Sequence, residues 1–440
     1  MPNPYLTYKK VGDDIYSVHD RPGWKYFLLL AGMGGLLSAG TIVWFYQIYT
    51  GLGVAGINYP VMWGAYITNF VFWVGIAHSG TLISAILYLF RVRWRTGVFR
   101  SAEAMTVFAL ATAGVFPLIH LGRVWYVYWL IPYPNQRLLW PNFRSPLIWD
   151  EFAIGTYTLV SAMFLFLGMV PDIAAFRDKA KSTIGKYFYG ILSLGWNGSD
   201  RQWHHFGTAY LFFAALATPL VISVHSVVSW DFATSIVPGW HSTIFAPYFV
   251  AGAIHSGLAM VFVILVPMRI IFKLKDYITD SDMEGLAKLI LVTGLIMFFS
   301  YATEAFIAWY SNNPFEQEIF RYRAVGDYKI AFWVMTIFNS VVPLALFSKK
   351  IRTTIPAVLL ISVLINIGMW FERYVIIVSS LSHEFMPGSW SLYNFTWVEL
   401  ALTVAAFGWF FFWFFLFIKI FPPVAVAEIK EQLEPGESES

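Results

Sequence analysis

The chain has 440 residues, of which 58% are hydrophobic, 19% aromatic and only 12% charged, and its formal net charge is +3. No soluble fold covers that much apolar surface, and so small a charge argues against a nucleic-acid partner. The absence of cysteine excludes disulfides, thiolate-ligated iron–sulphur clusters and covalently attached c-type haem within this chain.

Apolar stretches of about twenty residues or more recur, each long enough to cross roughly 30 Å of hydrocarbon as a helix. In chain order, hydropathy and turn residues predict spans at roughly 26–49, 62–90, 101–131, 147–170, 203–230, 242–273, 285–311, 328–347, 354–380 and 396–421. The expected fold is all-α and integral to the membrane, with ten transmembrane helices and membrane lipids as its surroundings. Before the first span, Asp13, Asp14 and Asp20 lie among basic residues and no short apolar core ends in a small-residue cleavage site, so no removable signal peptide is expected. Turn-forming runs such as Pro132-Tyr133-Pro134-Asn135, Pro238-Gly239-Trp240 and Pro387-Gly388-Ser389 mark connections at the interface. The acidic stretch from Glu428 to Ser440 reads as a mobile tail.

With the N-terminus inside, the inward segments hold 22 of the 29 lysines and arginines. The outward loops hold five, Arg137, Arg144, Arg321, Arg323 and Lys329, while Arg123 and Arg373 fall within spans. This bias predicts that both termini face the cytoplasm. A weak repeat is also visible. His78-Ser79-Gly80 in span two is echoed by His255-Ser256-Gly257 in span six, and Glu103 and Trp125-Tyr126 around span three by Glu284 and Trp309-Tyr310 around span seven. The expected organisation is therefore residues 1–61 as an N-terminal segment with span one, 62–231 and 242–380 as two parallel four-helix bundles, and 396–440 as span ten with the tail.

Ionisable groups in hydrocarbon are expensive, so their depth is informative. Placed at 1.5 Å per residue, His120, Arg123, Asp150, Glu151, His225, Asp231, Glu304, Glu372, Arg373 and Glu399 all fall in the outward half. His120 and Arg123, three apart, are expected on one helix face, whereas Glu372 and Arg373 point in different directions. A quinol head group needs two proton acceptors beside its two oxygens, and imidazoles and carboxylates do this near neutral pH. His120, Asp150 and Asp231 suit that task, and an arginine such as Arg373 can hold a carboxylate charged.

Plainer roles stand beside this one. Asp150 and Glu399 open helices and can simply cap them. Arg123 can snorkel, Asp231 can be a loop acid, Glu372 can pair structurally, and His120 can be a buried, hydrogen-bonded histidine. His78 and His255, beside small residues, suit either a proton relay or close packing. His120 with His225 loosely meets the need of a b-type haem for paired axial ligands, but no helix carries the paired histidines that hold stacked haems.

The runs Asn69-Phe70-Val71-Phe72-Trp73-Val74-Gly75-Ile76, 80–87, Phe116-Pro117-Leu118-Ile119-His120-Leu121-Gly122-Arg123, 143–150, Ser223-Val224-His225-Ser226-Val227-Val228-Ser229-Trp230-Asp231-Phe232 and 366–377 carry a resemblance over nearly the whole chain. They resemble the C subunits of bacterial alternative complex III, part of the polysulfide-reductase membrane-subunit family often called NrfD-like. The resemblance implies a menaquinol-oxidising subunit without metal or haem, in the bacterial cytoplasmic (inner) membrane. Its implied partners are c-type cytochrome subunits, a periplasmic iron–sulphur subunit and a second NrfD-like ten-helix subunit. The acceptor would be cytochrome c or a similar carrier, in a respiratory or photosynthetic chain. The positions matching the family's quinol pocket are His120, Asp150, Asp231 and Arg373, with Arg123, His225 and Glu372 as further quinol-binding candidates. Proton translocation is associated with the same family, and His78 and His255 are candidates for such routes. A secondary transporter or channel is the rival of a different class, and a scaffold or proton-conducting sister subunit is the rival within the same complex.

Overall fold

Peptide groups have no water to bond in hydrocarbon, so each apolar stretch must close its hydrogen bonds within itself as a helix. The computed structural model describes residues 7–20, 23–131, 143–431 and 433. Among them, ten helices are long and apolar enough to cross a membrane: Trp24–Thr50, Ala65–Leu89, Phe99–Leu121, Pro146–Lys179, Asp200–Ala233, Phe245–Ile271, Asp280–Tyr310, Lys329–Phe347, Ile355–Ser382 and Trp397–Ile420. They are called spans one to ten below.

Shorter helices flank them, Tyr8–Asp20 before span one, Thr183–Leu192 between spans four and five, Pro314–Val325 between seven and eight, and Val426–Glu431 after ten. Lys179 pairs with Asp13 at 2.6 Å, and the Tyr277 hydroxyl donates to Asp14 at 2.8 Å, so the N-terminal helix lies against the end of span four and the connection between spans six and seven. The C-terminal helix joins it there, with Glu428 accepting from Arg95 at 2.8 Å. This end of the bundle carries both ends of the described chain, and the opposite end is called distal. The Glu428 contact corrects the expectation of a mobile tail from that residue onward, because a buried arginine needs a partner. Residues 434–440 and Pro132-Tyr133-Pro134-Asn135 lie outside the described residues, as does Arg137.

Local sequence sets the boundaries. Thr279 with Asp282 and Thr396 with Glu399 form capping boxes that open spans seven and ten. Span three was expected to reach residue 131 but stops at Leu121. Gly122 follows at φ +68°, a left-handed value that ends an α-helix, and residues Val124–Leu130 continue as a 3-10 helix. Span four instead runs beyond residue 170 to Lys179, despite Pro171 within it. Three π-helical turns interrupt the spans, Leu82–Ile86 in two, Ile337–Val341 in eight and Val375–Ser379 in nine.

Spans two and six form the centre. A Cβ on Gly257 would collide with the Ser79 hydroxyl and lie 2.7 Å from the Ile76 carbonyl, so only glycine permits this approach. Ser79 of one motif thus packs on Gly257 of the other, while Gly80 faces Ala102 and Thr106 of span three. Spans one and ten pair along one side, with Gly40 tight against Ala405.

Candidate functional site

At the distal end, Asp150 is the fifth residue of span four and Asp231 lies in the last turn of span five. Their carboxyl groups face each other within hydrogen-bonding reach. Asp150 is buried, Asp231 half-buried, and Oδ1 of each has no hydrogen-bond partner. An ionised carboxylate only accepts, so a bond between these two requires one of them to carry a proton. Ser145, not Asp150, is the N-cap of span four, so the capping role open to Asp150 in the sequence is not the one it takes. Trp149 and Trp230, neighbours of the pair in sequence, meet edge to face with ring centroids 6.0 Å apart. Glu151 is exposed.

His120 occupies the last turn of span three, half-buried, with its Nδ1 enclosed and unpartnered. Arg123 was expected on the same helix face. The helix ends between them, and Arg123 sits at φ −98° and ψ 87° with an exposed side chain. The three-residue spacing therefore does not bring these two together, because it presumes a turn that Gly122 has already broken. Glu399 caps span ten and also accepts from Gly56 N–H at 3.0 Å and from the Tyr393 hydroxyl.

His225 is fully enclosed at a deeper level with both ring nitrogens unpartnered. Its neighbour is not His120 but His78, with ring centroids 4.5 Å apart at 61°. Rings that close leave no room for a porphyrin between them. His78 Nδ1 lies 2.7 Å from the Val74 carbonyl, and its ring is 5.2 Å from that of Tyr157. The Tyr157 hydroxyl bonds to Thr81 at 2.7 Å and to the Ala77 carbonyl at 3.1 Å. Nearer the other end, Glu103 accepts from Tyr210 at 3.1 Å, and Arg100 lies 3.3 Å from both Glu103 and Asp172. Polar groups thus recur along the length of spans two to five.

Glu372 and Arg373, expected to diverge, converge as an ion pair at 3.0 Å without hydrogen-bond alignment. Gly252 opposite them provides the space, since a Cβ there would lie 3.1 Å from Arg373 Nη2 and 3.4 Å from Glu372 Oε1. Glu372 also accepts from the Tyr301 hydroxyl, which in turn accepts from Asn339 Nδ2 at 2.8 Å. The Arg373 guanidinium lies 4.2 Å from the centre of the Phe249 ring, and that ring is 5.9 Å from His225. Arg323 nearby is enclosed by Ser379 at 2.8 Å and Ser380 at 2.7 Å, with Glu304 at 3.6 Å. Among the described residues, the structure brings Asp150 to Asp231, Glu372 to Arg373 and His225 to His78. Arg373 pairs with Glu372 and, among the described residues, with neither aspartate. Reasoning from ionisable groups missed Gln47, Tyr157, Phe249, Tyr301 and Asn339, and a carboxamide inside an apolar stretch was the signal available for Gln47 and Asn339.

No group of three or more histidine, aspartate or glutamate side chains able to hold a metal occurs among the described residues. Comparison with known proteins places relatives in three organisms. The chain is 28% identical over 355 residues to a protein of Halobacterium salinarum named as a putative membrane subunit of dimethyl sulfoxide reductase, covering 80% of this chain and 75% of that one. It is 21% identical over 399 residues to an Hdr-like menaquinol oxidoreductase integral membrane subunit of Archaeoglobus fulgidus, covering 87% and 85%. With a selenate reductase subunit of Mesobacillus selenatarsenatis it shares 22% identity over 384 residues, covering 84% and 85%. Residues 53–383, from the turn after span one to the end of span nine, match the family described as polysulphide reductase, NrfD, and with its ten apolar helices the chain is a multi-pass membrane member of that family.

Proposed function

We propose that this chain oxidises a quinol at its distal end and that the quinol is a menaquinol. The observation that carries this reading is the set of enclosed, unpartnered acceptors His120 Nδ1, Asp150 Oδ1 and Asp231 Oδ1 at one end of the bundle. Quinol oxidation breaks two O–H bonds and releases two protons and two electrons. His120 and the aspartate pair take the protons, the pair having room for one whenever it holds fewer than two. Arg373 adds fixed positive charge one layer deeper, beside His225 and Phe249. The chain has no cysteine with which to ligate a cluster of its own, and the electrons pass to a partner subunit that holds an iron–sulphur cluster.

The names of the relatives support this direction. The Archaeoglobus protein is named for menaquinol. The reductases named in the other two consume electrons, which a quinol-oxidising membrane subunit supplies. An assembly of the alternative complex III kind, with c-type cytochromes and a second NrfD-like subunit, is the finer form of the proposal. In it the distal end faces the periplasm, the termini face the cytoplasm, and protons leave outward.

A second reading has its own observation. The polar groups from His225 and His78 through Tyr157 towards Glu103 and Arg100 suit proton conduction, with or without quinol chemistry. Turnover with a menaquinol analogue separates the two, using assembled complex with His120→Ala or Asp150→Asn. The expected result is about a hundredfold loss in each variant with assembly intact. Near-normal turnover in both sinks the quinol site and leaves the proton-conducting or scaffold role.

A further inference from the structure

Span one is the helix that packs least against the rest. Along Trp24–Thr50 the buried residues are Tyr26, Gly40 and Gln47. Gln47 is fully enclosed, and an enclosed carboxamide on an otherwise lipid-facing helix must find partners. Its Nε2 donates to the Ile119 carbonyl at 3.0 Å, and its Oε1 accepts from the Tyr66 hydroxyl.

The Ile119 carbonyl belongs to the turn where span three stops. The last carbonyls of a helix have no intrahelical donor, and here the Gly122 N–H at 3.2 Å and the Gln47 amide supply them. Leu52, just beyond span one, closes on the same turn, because a Cβ on Gly122 would lie 2.6 Å from its Cγ. On the other side, Ala65 N–H next to Tyr66 donates to the Tyr393 hydroxyl at 3.0 Å, and Tyr393 donates to Glu399, the capping residue of span ten. Span one therefore bonds the peptide that immediately precedes His120, and span two holds Gln47 through Tyr66 while Tyr393 ties the start of span two to span ten.

We infer that Gln47 is a positioning residue that fixes the last turn of span three and so aims the His120 imidazole. Pro117, three residues earlier, has no N–H, so the helix is already short of a bond in this region. That gap falls at the Ala113 carbonyl; the side-chain clasp serves the Ile119 carbonyl, whose regular donor, the Arg123 N–H, turns instead to the Leu121 carbonyl at 2.7 Å. The inference rests on the reading that His120 accepts a quinol proton.

The test replaces Gln47 by methionine, equal in length but without either hydrogen bond. It compares kcat/KM and its pH profile for menaquinol-analogue oxidation in wild-type and His120→Ala backgrounds of the assembled complex. A positioning role predicts about a tenfold loss of kcat/KM and a displaced pH profile for Gln47→Met alone. It also predicts no further loss in the His120→Ala background, since nothing is left to aim. Equal losses in both backgrounds, or unchanged kinetics and pH profile in Gln47→Met, overturn it. If Gln47→Met does not assemble, Tyr66→Phe removes one bond of the clasp and is expected to displace the profile less, in the same direction; an unchanged profile there overturns the proposal. Normal turnover in His120→Ala sinks the site reading itself, independently of anything Gln47 does.

Discussion

Glu372 and Arg373 illustrate what a buried charge demands of its neighbours. Each is enclosed, and each has the other as its nearest opposite charge. Removing one member leaves the other unpaired in a medium that cannot solvate it, so Arg373→Met is expected to destabilise the protein by about 3–5 kcal/mol. Arg373→Met with Glu372→Gln should recover most of that loss, and thermal unfolding of the purified protein in detergent would show both. The sequence makes such residues conspicuous, because a charge in an apolar stretch has few innocent explanations. His120, Asp150, Asp231 and Arg373 stood out for that reason. Which groups they face was not legible. His225 turned to His78 and Arg373 to Phe249 because such pairings depend on how neighbouring helices are rotated about their axes, and Arg373 to its sequence neighbour Glu372 because Gly252 opposite leaves room for both. Gln47 and Asn339 went unnoticed because a single neutral carboxamide scarcely alters the hydropathy of its stretch.

Whole helices were more legible than their ends. All ten spans occur where apolar length demands them, yet span three ends ten residues before its expected boundary, at Gly122. The aromatic run after it remains apolar in composition while its backbone changes form, which hydropathy alone cannot register. The segment after span nine shows a related effect. His383 is stacked between Tyr322, at a centroid distance of 4.2 Å, and Trp390, at 3.5 Å, with Glu318 at 4.0 Å. Burial pushes its imidazole below the ordinary value, and Glu318 only partly opposes this. The folded segment thus favours neutral His383. Its contribution is full above the ordinary value of about 6.5 and is lost as pH falls below that towards the folded value. Amide-exchange protection of residues 383–393 should therefore decrease between pH 8 and pH 5, and His383→Asn should flatten that dependence. Protection that rises on acidification would contradict the assignment.

At the scale of the molecule, a chain without cysteine is convenient for establishing orientation. Ser17 and Met386 are exposed at opposite ends of the bundle. In intact cells a membrane-impermeant thiol reagent is expected to label Met386→Cys directly and Ser17→Cys only after permeabilisation, and the reverse pattern would invert the proposed topology. The π-helical turns carry a consequence of another kind. Each accommodates one residue more than an unbroken α-helix would use. Excising one residue from the Val375–Ser379 turn would let the helix close to α geometry while the residues after it keep nearly their present facing, because the wider turn is what absorbs the extra residue. Ser380, just after the turn, would then keep its bond to Arg323, and Arg373, before it, would keep its place. The three turns thus act as punctuation marks in the alignment of this chain with its relatives. A single-residue gap at any of them marks a turn that has closed to α geometry, and the faces of the helix before and after it should still correspond.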